Sequence, residues 1–137
     1  MKIHHIGYLV KHFDEAFSVF FDLGFRPDGP VTLDESRNIR IQFMSKDGVV
    51  IELVSPMSKD SAVGSLLKKT GASPYHICYE SDDFQKDMES LEQKGYLRIT
   101  EPAPAPAIDR KNVVFLINPE IGLIEIVEKQ KEMKALC

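Results

Sequence analysis

The chain repeats itself, and this limits its fold more than any other feature. Displaced by 71 positions, the sequence lays His5, Ile6, Tyr8, Phe13 and Gly24 on His76, Ile77, Tyr79, Phe84 and Gly95, all identical and without a gap. A shift of 73 then lays Ile39 to Val54 on Asn112 to Val127, so that Val50-Ile51-Glu52-Leu53-Val54 meets Leu123-Ile124-Glu125-Ile126-Val127. A chain of 137 residues has the usual length of one domain. The repeat therefore predicts two modules inside one folded unit: a module over 1–56, a linker over 57–73, a module over 74–128 and a charged tail over 129–137.

Within the first module, Ile3 to Val10 is short and rich in β-branched and aromatic residues, as a strand requires. Phe13, Ala16, Phe17, Phe20 and Phe21 then recur at helical spacing, with Asp14 and Glu15 in the first turn and Gly24 as the stop. Asn38 to Met44 and Val49 to Val54 read as strands joined by a Ser-Lys-Asp-Gly turn, with Arg26 to Val31 as a further edge strand. The second module repeats this: strand Tyr75 to Glu80, a helix from about Asp83 to Lys94, and strands Lys111 to Ile117 and Gly122 to Val127. The linker carries a short helix with Ala62, Leu66 and Leu67 on its apolar side. Glu101 to Ala107 alternates Pro with Ala, lacks every second amide donor, and reads as an extended loop outside any central sheet.

Composition removes several functions. Hydrophobic residues at 43% and charged residues at 28% can fill a core and exclude a disordered chain. Seventeen basic against twenty-one acidic residues, net −4, give no field that draws nucleic acid or anionic lipid. No apolar run approaches the roughly 20 residues of a membrane span, and the start lacks a signal-peptide pattern, so the expected location is cytoplasmic. Cys78 lies in an apolar run as a small buried hydrophobe, and Cys137 is the last residue, too late for prenylation; neither reads as a nucleophile.

Glu52 and Glu125 are the only polar residues in two otherwise apolar strands. An unpaired carboxylate there costs several kcal/mol or becomes neutral, so such a residue implies a cation, a hydrogen-bond network or a site. His5 and His76 form the other symmetric pair, and neutral imidazole is a common ligand for divalent metals. The competing reading is retention of four structural residues after duplication. By strand alternation His4 points away from His5, so only one of them lines a shared cavity, and the repeat selects His5. His12 sits at a helix entry as a cap or surface residue. Asp109-Arg110-Lys111 offers charge to an anionic substrate end, or is simply solvated.

At these residues, and in the stretches His-His-Ile-Gly-Tyr, Glu-Leu-Val-Ser-Pro, Tyr-His-Ile-Cys-Tyr-Glu and Leu-Ile-Glu-Ile-Val-Glu, the chain resembles the vicinal oxygen chelate superfamily over nearly its whole length. That superfamily includes glyoxalase I, methylmalonyl-CoA epimerase, extradiol dioxygenases and bleomycin-resistance proteins. The resemblance implies an α+β fold in which tandem βαβββ modules form a curved, half-open mixed sheet around one divalent metal ion: nickel, cobalt or zinc. It implies His5, Glu52, His76 and Glu125 as metal ligands and Glu52 and Glu125 as catalytic bases. Epimerases and short bacterial glyoxalases match best, although Ile117-Asn118-Pro119-Glu120 stands where the typical epimerase has His-Pro-Lys.

The implied activity is that of a glyoxalase I-like lyase or an epimerase-like isomerase, with proton transfer next to a carbonyl or thioester through a metal-chelated enediolate. The alternative is a non-catalytic, antibiotic-type binding protein of the same fold. The resemblance further implies a homodimer and a small-molecule substrate, a thioester or 2-oxo-acid derivative.

Overall fold

The computed structural model describes residues 1–129. The expected charged tail, Cys137 included, lies outside them apart from Lys129. In the first module β1 (Lys2–Leu9) leads into α1 (Phe13–Asp22), then β2 (Arg26–Pro27), β3 (Thr32–Asp34), β4 (Ile39–Lys46) and β5 (Val49–Pro56). The linker holds α2 (Ala62–Thr70). The second module runs β6 (Ser73–Ser81), α3 (Phe84–Gln93), β7 (Leu97–Arg98), β8 (Ala103–Ala105), β9 (Lys111–Asn118) and β10 (Gly122–Glu128). This is the α+β, twice-repeated order expected from the sequence, except that the edge strand after each module's helix is split in two, so each module runs βαββββ rather than βαβββ.

All ten strands share one mixed sheet in the order β2-β4-β5-β1-β6-β10-β9-β7, with β3 alongside β4 and β8 alongside β9. The two modules meet where β1 and β6 pair antiparallel, while β5 joins β1 and β10 joins β6 in parallel. The first strand of each module thus lies beside its last, at the middle of the sheet. That adjacency brings the His-bearing strands and the Glu-bearing strands together.

Local chemistry explains the turns and helices. Asp47 and Gly48 both take positive φ (53° and 80°), the tight two-residue turn that suits a right-twisted hairpin. Phe13, Ala16, Phe17 and Phe20 of α1 pack over Met44, Ile51 and Leu53, whereas Phe21 turns outward beneath the Arg26 guanidinium. In the second module Phe84, Met88 and Leu91 of α3 cover Val114, Leu116, Ile124 and Ile126. The other face of the sheet is partly closed by α2, whose Val63, Leu66 and Leu67 pack on Leu9, Ile39, Ile41 and Val54.

Two expectations need correction. The edge strand expected over Arg26 to Val31 is only Arg26–Pro27; Gly29 at φ 90° and Pro30 break it, and pairing resumes at Thr32–Asp34. Glu101 to Ala107 is not wholly loop, because Ala103–Ala105 pairs with β9. Pro104 is tolerated there because Asn112, opposite it, donates its amide to Glu128 instead. A single 3-10 turn over Pro106–Ile108 follows, and left-handed Asp109 and Arg110 return the chain to the sheet.

Leu53 is fully buried beneath α1, and Leu97 is 64% exposed on β7. Leu53→Ala is expected to cost about 2–5 kcal/mol and Leu97→Ala no more than about 0.5 kcal/mol, measured as urea midpoints at constant m-value.

Candidate metal and active site

The four doubled residues converge. His5 Nε2 lies 3.2 Å from His76 Nε2, 3.2 Å from Glu125 Oε1 and 3.6 Å from Glu52 Oε1. His76 Nε2 lies 3.1 Å from Glu125 Oε1 and 3.8 Å from Glu52 Oε1. All four residues are buried, from 1% exposed for His5 to 6% for Glu52. Among the described residues Asp34 is the other buried carboxylate, and it is already matched by Arg37 Nη1 at 2.8 Å.

Two symmetric β-bulges aim the imidazoles. Ile3 pairs with Tyr79 and His5 with Cys78, leaving His4 as an extra residue; Gly7 pairs with His76 and Tyr8 with Pro74, leaving Tyr75 extra. A bulge locally breaks the alternation of side chains. The expectation that His4 faces away from His5 is therefore corrected: His4 Nδ1 lies 2.8 Å from His5 Nδ1, and Phe43 packs edge-on against both rings. In the second module Tyr75 meets His76 edge-on at 4.4 Å between ring centres, and Phe115 closes the other side. Gly7 has no room for a side chain, since a Cβ there would overlap the His76 ring. Its counterpart Cys78 faces His5 across the strand pair and is fully buried, as expected of a small hydrophobe.

Burial alone would lower the pKa of His5, but the Glu52 charge and hydrogen bonding to Glu125 and Glu52 outweigh it and raise the imidazolium to about 9. Burial alone would raise the Glu125 carboxyl, yet hydrogen bonds and charge from His5 and His76 hold it well below the usual carboxylate range. Burial, then the Glu125 charge, pushes the Cys78 thiol far up and keeps it protonated. Burial of the hydroxyl and the charges of Glu52 and Glu125 hold the Tyr75 phenol well above its ordinary value. Burial and the neighbouring His5 lower His4.

Protons alone satisfy this cluster poorly. Two buried carboxylates call for two positive charges, but imidazoliums on both His5 and His76 would direct two N–H groups at each other across 3.2 Å. Among the described residues His76 Nδ1 is also left without a hydrogen-bond partner. An ion with ligand bonds of about 2.1 Å separates neighbouring ligand atoms by roughly 3.0 Å in octahedral and about 3.4 Å in tetrahedral coordination. The observed separations run from 3.1 Å, close to the octahedral value, to 3.8 Å, somewhat beyond the tetrahedral one, and His5, Glu52 and His76 form a compact potential metal-ligand group. The donor set and its spacing fit a divalent ion.

A cavity of about 30 Å³ adjoins the two carboxylates, lined by Glu52, Glu125, Tyr75, Phe115, Arg37 and Ile108, among others. A larger cavity of about 430 Å³ lies on the His4 side, where Lys2, Asp109 and Lys111 line it. Ala107 and Ile108 border both. Asp109 and Lys111 of the charged trio thus stand at a cavity mouth, while His12 is an exposed helix N-cap residue whose side chain makes no capping bond. Sequence reasoning missed Tyr75 and Arg37. The repeat did carry one signal, since Tyr75 is the positional counterpart of His4.

Residues 4–115 match the Glyoxalase/Bleomycin resistance protein/Dioxygenase superfamily, and the chain belongs to it. Among its relatives, mitochondrial methylmalonyl-CoA epimerase of Bos taurus is 27% identical over 129 residues, covering 91% of this chain and 73% of that one. Among solved structures, methylmalonyl-CoA epimerase from Mycobacterium tuberculosis superposes with a TM-score of 0.81 at 23% identity, covering 95% of this chain and 89% of the other. A variant of Streptomyces coelicolor methylmalonyl-CoA epimerase in complex with 2-nitronate-propionyl-CoA gives 0.80 at 24% identity, covering 96% and 99%. The glyoxalase-like fold is therefore shared. Among the described residues no helix is long and apolar enough to cross a membrane.

The raised His5 pKa contributes stability that is complete below about pH 6.5 and lost as the pH climbs towards 9. The depressed Glu125 pKa contributes stability above the ordinary carboxylate range and loses it as the pH falls. Chelator-treated protein is expected to lose on the order of 3 kcal/mol between pH 6.5 and 9, and His5→Gln to flatten that slope. Urea midpoints across the window check this, and a flat profile for the unmutated protein contradicts it.

Proposed function

We propose that this chain is a metal-dependent isomerase that moves a proton on the carbon next to a thioester carbonyl, with epimerisation of methylmalonyl-CoA as the best-fitting reaction. The observation that carries this reading is the convergence of two imidazoles and two carboxylates at 3.1–3.8 Å in a buried site. The epimerase relatives support the substrate class. Residues 1–128 act as one working unit in this reading, because each module supplies one His and one Glu.

His5, Glu52, His76 and Glu125 would hold the ion. When bound, it supplies a Lewis acid that stabilises negative charge on the carbonyl oxygen as the neighbouring C–H proton leaves. Glu52 and Glu125 are the candidate bases. They stand on β5 and β10, the outer neighbours of the central β1–β6 pair, so they approach the centre from its two flanks. Epimerisation balances when one carboxylate removes the proton from one face and a proton is returned to the opposite face. Phe115, Ile108 and Tyr75 line the cavity beside them and limit water. Arg37 is the cation lining that cavity, where its guanidinium suits a free carboxylate on the acyl group.

Chelation is expected to abolish methylmalonyl-CoA epimerisation, and cobalt, nickel or zinc to restore it. Deuterium exchange at C2 followed by NMR reads the proton transfer directly. Glu125→Gln is expected to lower kcat about 10²–10⁴-fold. Arg37→Met is expected to raise KM more than it lowers kcat, shown by initial rates over a substrate series. The pair of carboxylate ligands also matches the glyoxalase I alternative, so hemithioacetal conversion is run in parallel. Absence of metal-dependent activity on both substrates would overturn the reading.

A further inference from the structure

We infer that His4 is a positioning residue for His5, fixing through one hydrogen bond which His5 nitrogen faces the metal centre. The inference rests on the metal-centre reading above and deepens it. The His4 Nδ1 to His5 Nδ1 separation of 2.8 Å is a hydrogen-bond distance between two ring nitrogens, so only one of the two carries the shared proton. A His5 that offers its Nε2 lone pair to a cation must keep its proton on Nδ1. His5 then donates to His4, and His4 accepts at Nδ1 and carries its own proton on Nε2.

The contact is built in several ways. The bulge at His4 breaks strand alternation and brings the two rings to 5.0 Å between centres, nearly perpendicular. Phe43 packs against both, and His5 is 1% exposed, so water cannot readily replace His4 as the acceptor. The second module lacks this arrangement: Tyr75 occupies the matching bulge, and His76 Nδ1 has no partner among the described residues. One imidazole is therefore oriented by a dedicated neighbour and the other by packing alone. A partner of this kind orients a metal-bound imidazole and raises its basicity, and removing one typically weakens metal affinity about 10–100-fold.

The test titrates chelator-stripped wild type, His4→Ala, His4→Asn and His5→Ala with cobalt(II), reading dissociation constants by competition, the cobalt absorption spectrum, and metal-free melting midpoints. Wild type is expected to bind one equivalent. His4→Ala is expected to bind about 10–100-fold more weakly with a shifted spectrum while its metal-free melting midpoint stays near wild type. His4→Asn, whose side-chain oxygen can accept the same proton, is expected to recover most of the affinity. Cobalt affinity and spectrum unchanged in His4→Ala would overturn the inference and leave the metal centre standing. A second equivalent that disappears with His4→Ala would also overturn it, by making His4 a ligand. No binding by wild type would overturn the metal-centre reading itself.

Discussion

Two carboxylates and two imidazoles packed into one dry space form an arrangement that protons alone do not satisfy. The Nε2 atoms of His5 and His76 face each other at 3.2 Å, and Glu125 Oε1 sits within 3.2 Å of both. Burying charge at this density is costly unless a counter-charge occupies the centre. The rest of the fold is organised around holding these groups in register. Each module pairs its first strand with its last, each bulge lies on a His-bearing strand at the centre, and Gly7 leaves space for the His76 ring.

The duplication sets the frame and its breaches set the chemistry. At the paired bulges, one module has His4 and the other Tyr75; at the small-residue positions, one has Gly7 and the other Cys78. The cavity beside the carboxylates draws Arg37 and Asp34 from the first module, and Tyr75, Phe115 and the 3-10 turn from the second. A symmetric scaffold thus surrounds an asymmetric space. The segment beside that space is held by the β8–β9 pairing, by burial of Ala105 and Ile108, and by hydrogen bonds from Arg37 Nη1 to the Pro104 carbonyl and from the Arg110 amide to the Ala105 carbonyl.

Much of this was legible in the amino-acid sequence, because duplication and burial leave marks in residue order. Glu52 and Glu125 stood out as charges among apolar neighbours, His5 and His76 as repeat partners, and Asp47-Gly48 as a tight turn. What stayed hidden depends on the third dimension. The alternation rule assumes a regular strand, so it sent His4 to the wrong face; a bulge has no signature in the residues of β1 alone. β8 was missed because prolines suggest loop, yet an edge strand tolerates Pro104 where its partner Asn112 bonds elsewhere. Arg37 and Tyr75 gave no local signal, since they meet only in a cavity assembled by both modules.

Anomalous diffraction from crystals soaked in a cobalt(II) salt tests the central claim most directly. The account predicts one strong peak at bonding distance, about 2.0–2.2 Å, from His5 Nε2, Glu52 Oε1, His76 Nε2 and Glu125 Oε1. A quartet without a peak, or cobalt bound only by surface residues, would contradict it.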